Sequence, residues 1–167
     1  LYPDTIKAYR LGSWKKSDEI AIPFYDENDK CVLVKFRGAK GGTIQRKRKA
    51  DNGFEVYETK TAIERKGKPV LFGSHLCDPT EGALVISFGD YDAMTLAQQG
   101  IPNCVSMPFG DSGFDFINLQ WEFLQKFQEI ILFPDNDKYP NPEAEQRAKK
   151  KLDELATRLG KHRVRLV

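Results

Sequence analysis

From Ala83 to Val167 short apolar runs alternate with segments patterned for helices, and that order leaves few folds open. Ala83 to Ser87 is a continuous apolar run of strand length, and Asp90 to Gln99 reads as a short helix with Ala93, Leu96 and Ala97 inward and Gly100 as its stop. Asn103 to Met107 predicts a second strand, Phe114 to Phe127 a helix burying Ile117, Trp121 and Leu124, and Glu129 to Phe133 a third strand. Asn141 is placed as an N-cap with Pro142 at the first helical position. Ala144, Ala148, Leu152, Leu155, Ala156 and Leu159 then line one helix face up to Gly160, and Val164 to Val167 closes the series as a strand. This βαβαβαβ order predicts an α/β fold with a mainly parallel sheet flanked by helices.

The preceding residues read differently. Ile20 to Tyr25 and Cys31 to Phe36 flank the polar turn Asp26 to Lys30, which suits a hairpin, and Asp4 to Arg10 suits a short helix. A composition change near Pro79 to Gly82 sets the expected boundary between a small basic α+β lobe over 1–82 and the α/β unit over 83–167.

Acidic residues stand where two of the predicted parallel strands end: Asp90 and Asp92 after the first, Asp135 and Asp137 after the third. Open α/β sheets bind ligands beyond the carboxyl ends of their strands, and a set of carboxylate oxygens suits Mg²⁺ or Mn²⁺ better than zinc. Asp135 and Asp137, two apart in an extended segment, share one side. Asp90 also suits a plain helix cap. Clustered acids repel one another without a cation, so this pattern predicts metal-assisted chemistry on phosphates.

Charge is unevenly spread although the net value is only +2. Between Leu33 and Pro69 eleven Lys or Arg face four acids, a local excess of +7 that attracts polyanions. Lys35 and Arg37 share one face of a strand, while Arg46, Lys47, Arg48 and Lys49 fall in a stretch expected to be a loop. These six are the candidates for contacts to a nucleic-acid backbone or a nucleotide. Phe36 and Tyr57 read as core residues before base-stacking ones, and His75 and His162 lack partners at ligand spacing. The widely separated Cys31, Cys77 and Cys104 read as reduced core thiols. No apolar run approaches the length of a membrane span. The chain begins at Leu1 and ends on an apolar run, as a piece of a longer protein would.

The second half resembles the Toprim domain, the metal-binding nucleotidyl-transfer and hydrolysis module of bacterial primases, topoisomerases and some nucleases. Phe88-Gly89-Asp90-Tyr91-Asp92 stands for its Glu-Gly-x-x-Asp motif and Asp135-Asn136-Asp137 for its Asp-x-Asp. The text from Asp92 to Gly110 is most similar to the bacteriophage and Twinkle-type primase-helicases, and Ile20 to Gly38 resembles their basic upstream lobe. The resemblance implies a primase domain making RNA primers on single-stranded DNA from nucleoside triphosphates, with a helicase domain in the full-length protein. It implies Asp90, Asp92, Asp135 and Asp137 as catalytic residues, with Asp92, Asp135 and Asp137 holding Mg²⁺ or Mn²⁺. The setting implied is a bacterial or phage-infected cytoplasm, or an organelle in a eukaryote.

Two departures accompany the match. Phe88 occupies the position of the motif glutamate and can neither move a proton nor bind a metal, and Lys138 to Pro142 replace a glycine that often follows Asp-x-Asp. Phe88 is the argument for an alternative, a module that binds single-stranded DNA and supports a linked helicase without catalysis. Another metal-dependent phosphotransferase or a Toprim nuclease is a third reading, although aspartyl-phosphate enzymes usually follow the pair with Thr or Val rather than Lys138 and Tyr139.

Overall fold

The computed structural model describes residues 1–14, 19–38, 44–49, 55–60, 62–64, 67–108, 113–135 and 141–167, with Trp14 and the three strands between 44 and 64 in backbone alone. The first lobe opens with helix α1 (Pro3–Ala8), whose Pro sits in the first turn where no amide donor is needed. Strands β1 (Gly12–Trp14), β2 (Glu19–Tyr25), β3 (Cys31–Gly38) and β6 (Ala62–Glu64) form an antiparallel sheet in the order β1-β2-β3-β6. The β2–β3 turn is the predicted one: the Asp26 carboxylate accepts from the amides of Asn28 and Lys30, each at 3.0 Å.

The basic stretch expected as a loop is instead strand β4 (Ile44–Lys49), paired antiparallel with β5 (Glu55–Lys60). The register sets Arg46 opposite Glu58 and Lys49 opposite Glu55. Opposite charges at facing positions favour pairing, so a cationic run forms a strand when its partner brings acids.

The second half follows the predicted alternation. It comprises β7 (Leu84–Ser87), α2 (Asp90–Gln98), β8 (Cys104–Ser106), α3 (Asp115–Leu119), α4 (Trp121–Gln125), β9 (Ile130–Phe133), α5 (Pro142–Leu159) and β10 (Val164–Leu166). All strands run parallel in the order β10-β9-β7-β8, and Phe72 of the first half bridges antiparallel to Ser106 on the β8 edge. Asn141 caps α5 by accepting from Ala144 N at 2.9 Å, and Gly160 ends it at φ 97°, a conformation that favours glycine.

The single helix expected over Phe114 to Phe127 is broken at Gln120, where the backbone leaves the helical region at φ −119°, ψ 28°. Gln120 is buried, its Oε1 accepts from Leu71 N at 2.5 Å and its Nε2 donates to Ser74 Oγ at 3.2 Å. A buried amide without a partner is costly, so this pairing with the incoming chain outweighs one turn of helix. The restart turns Trp121 outward, 46% exposed rather than in the core.

Two cores result. Leu84 and Ile86 of β7 with Ile130 and Leu132 of β9 pack against Phe116, Leu124, Leu155 and Leu159 from α3, α4 and α5. The other core joins Ile22, Phe24, Leu33, Phe72 and Tyr9 to Ala93 and Met94 of α2. The antiparallel sheet is thereby seated on α2, beside the carboxyl ends of the parallel strands. Among the described residues no helix is long and apolar enough to cross a membrane.

Candidate functional site

The carboxyl ends of β7 and β9 lie side by side because Ser87 pairs with Phe133 in the parallel register. Beyond β7 the chain turns at Phe88 and Gly89 into α2, which starts with Asp90 and carries Asp92 in its first turn. Beyond β9 it continues through Pro134 to Asp135, whose side chain is exposed. Ser87 ties this edge together, its single hydroxyl hydrogen within reach of the carbonyls of Gly89 at 3.1 Å and Val105 at 3.2 Å.

Asp90 and Asp92 have opposite surroundings. A helix turns about 100° per residue, so two positions apart are nearly back to back. Asp90 is buried between the two sheets, 1% exposed, and Ser106 Oγ donates to its Oδ1 at 2.9 Å. Lys35 Nζ lies 3.4 Å from both of its oxygens and Arg37 Nη2 3.7 Å from Oδ2. Lys35 is itself buried, its ammonium 4.8 Å from the Phe24 ring centroid. Arg37 keeps 35% of its side chain exposed, with the Tyr91 ring 5.7 Å away. Asp92 faces solvent and folds back over Gly89, where a Cβ would run into its carboxylate. Phe88 is half-buried against the core of the parallel sheet.

The fold and this edge can be set beside known proteins. No protein-family model matches the chain. It is 26% identical over 179 residues to the primase homolog protein of Arabidopsis thaliana, covering 98% of this chain and 45% of that protein. It is 25% identical over 175 residues to the Twinkle homolog protein, chloroplastic/mitochondrial, of the same plant, covering 95% of this chain and 21% of that one. The chain therefore spans less than half the length of these relatives. Among solved structures, the primase fragment of the bacteriophage T7 primase-helicase shares the fold at a TM-score of 0.65 and 21% identity, over 98% of this chain and 59% of that one. The DnaG catalytic core does so at a TM-score of 0.65 and 14% identity, over 99% and 60%. The chain is similar in sequence to a primase homolog and a Twinkle homolog, and it shares the Toprim-type α/β fold of primases.

Within this primase-like fold the residues read from sequence separate into three groups. Asp92 and Asp135 stand at the strand-end edge, and Asp137 lies outside the described residues. Asp90, Lys35 and Arg37 meet one another in the contact between the two sheets. Arg46, Lys47, Arg48 and Lys49 lie on β4, described in backbone alone. Among the described residues no three His, Cys, Asp or Glu side chains converge as a metal-binding group. The carboxylates of Asp92 and Asp135 are nevertheless the oxygen donors a hard divalent ion takes.

Ser106 is the site residue that sequence reading missed. Its signal was faint: a small hydroxyl near the end of a predicted buried strand, where an apolar residue is the norm. Phe36 is buried, as a core residue would be. Of the thiols, all unpaired, Cys104 is buried, Cys77 is half-buried and Cys31 is exposed, so Cys31 departs from the expected core position. Burial pushes the Cys104 thiol up to about 11 and that of Cys77 up to about 12.

Proposed function

We propose that this domain synthesises RNA primers on a single-stranded DNA template from nucleoside triphosphates, with Mg²⁺ or Mn²⁺ held by Asp92, Asp135 and Asp137. The observation that carries the reading is the pairing of β7 with β9, which brings two acid-bearing strand ends to one edge of a primase-type fold. Asp92 is set for this role by Gly89, whose missing side chain leaves room for the carboxylate. The bound ion would balance charge developing on the reacting phosphate. The cationic strand β4 and the partly exposed Arg37 give a polyanion its counter-charge. The names of the Twinkle homolog and of the T7 primase-helicase support a linked helicase domain in the longer protein, and the former's name supports an organelle as its place.

A second reading has its own observation. Phe88 packs against the core where the resembling motif carries glutamate, which leaves that position without an acid or base. On this reading the domain grips single-stranded DNA for a linked helicase. The test is dinucleotide synthesis from labelled nucleotides on varied single-stranded templates with Mg²⁺ or Mn²⁺, comparing the chain with Phe88→Glu and Asp135→Ala/Asp137→Ala. The primase reading expects product from the unaltered chain and a fall of roughly 10²-fold or more in the double alanine variant. Template binding without product, rescued or not by Phe88→Glu, gives the second reading.

A further inference from the structure

We infer that Asp90 is a positioning residue that locks the first lobe onto α2 and holds Arg37 at the ligand edge as a phosphate contact, so that strand binding there needs no divalent ion. Asp90 and Asp92 belong to one acidic motif, yet the Asp90 carboxylate is enclosed by Lys35, Arg37 and Ser106, which occupy the directions a metal would need. A carboxylate with two organic cations at 3.4 and 3.7 Å already has the counter-charge that an isolated acid would seek from a metal.

The two cations are not equivalent. Lys35 is 6% exposed and is held between Asp90 and the Phe24 ring, so its charge is absorbed by the fold. Arg37 is two residues further along β3, on the same face, and 35% exposed. At 3.7 Å its approach to Asp90 is an ion pair longer than a hydrogen bond, and its buried Nε has no hydrogen-bond partner among the described residues. Among the described side chains two cations thus share one carboxylate. β6 sets Glu64 opposite Lys35, on the far side of β3 from β2, with its backbone alone described. The guanidinium is anchored from below by Asp90 and has Tyr91 beside it, which presets a planar donor for a phosphate of a strand or a nucleotide.

This inference rests on the reading that the edge takes a nucleotide or a single strand, and its test is separate from primer synthesis. Binding of a labelled oligothymidine is measured by anisotropy in EDTA and in Mg²⁺, over a salt series, with ATP as competitor. The unaltered chain should bind in EDTA at least as tightly as in Mg²⁺, which competes for the same phosphates. Arg37→Met should weaken binding about tenfold and lower the salt slope by about 0.7. Arg37→Lys should recover part of the slope. Lys35→Met/Asp90→Asn, which removes the buried charge pair together, should stay folded by circular dichroism yet bind like Arg37→Met. Displacement by ATP identifies a triphosphate as a ligand of the same contact, and its failure assigns the contact to the strand alone; either agrees with a phosphate site. Binding that requires Mg²⁺, no binding at all, or full affinity in Arg37→Met or in the folded double variant overturns the inference. Loss of primer synthesis in the unaltered chain, with these responses intact, removes the primase reading and leaves this one standing.

Discussion

Asp90 and Asp92 are two residues apart at the start of one helix, and the fold treats them as opposites. Asp90 is buried, hydrogen-bonded and ion-paired across the two sheets, whereas Asp92 faces solvent over Gly89. The difference teaches that spacing alone assigns no role. Two residues apart means one side in a strand, as for Asp135 and Asp137 in the sequence reading, and nearly opposite sides in a helix.

The largest effect that would break this contrast is on stability. Asp90→Ala leaves Lys35 buried without its carboxylate and should cost about 3–5 kcal/mol of unfolding free energy in a urea titration. Asp92→Ala should change it by less than about 0.5 kcal/mol. Equal costs would mean that both acids serve the fold alike.

Gly89 sharpens the comparison from the exposed side. A Cβ at this position would meet the Asp92 carboxylate, the far end of an exposed side chain that can turn away, so Gly89→Ala at the helix N-cap should cost no more than about 1 kcal/mol. Adding Asp92→Ala should return part of that loss, since the obstructing group is then gone. A cycle with strictly additive costs would show that the two residues do not share this space.

The same inside and outside distinction extends to the thiols. Burial holds the Cys104 and Cys77 thiols in the protonated form, at about 11 and about 12, while Cys31 is exposed. Because the thiolate is the reactive species, maleimide at pH 8 should label Cys31 at least about tenfold faster than either of the others. Comparable rates by mass spectrometry would place all three in one environment.

The smallest effect concerns His75. Burial, and then the nearby Arg10 charge, hold its imidazole below the ordinary value of 6.5. As pH falls below that value the unfolded chain takes up the proton first, so the stability that His75 contributes is present above 6.5 and is lost as pH falls toward the folded value. His75→Gln should flatten this limb, by on the order of 1 kcal/mol or less, in thermal melts between pH 7 and 5. An unchanged limb would remove His75 from the account.

Much of the α/β half was legible in the sequence because local rules and tertiary structure agree there. Apolar runs became β7, β8 and β9, and Asn141 and Gly160 bound α5 as their capping chemistry requires. The failures arise where a distant partner decides. Gln120 breaks the expected long helix because Leu71, far away in the chain, needs an acceptor for its amide. Gln45 to Lys49 pairs as a strand because β5 brings acids across from it.

The sequence by itself determined the parallel sheet, the small antiparallel lobe and the placing of acids after the first and third strands of the α/β half, since periodicity and strand ends are local properties. Tertiary structure alone decided that Asp90 belongs with Lys35 and Arg37 rather than with Asp92. That pairing depends on the docking of β3 against α2, where burial makes an unpaired charge costly, and no spacing along the chain expresses a contact between residues 55 positions apart.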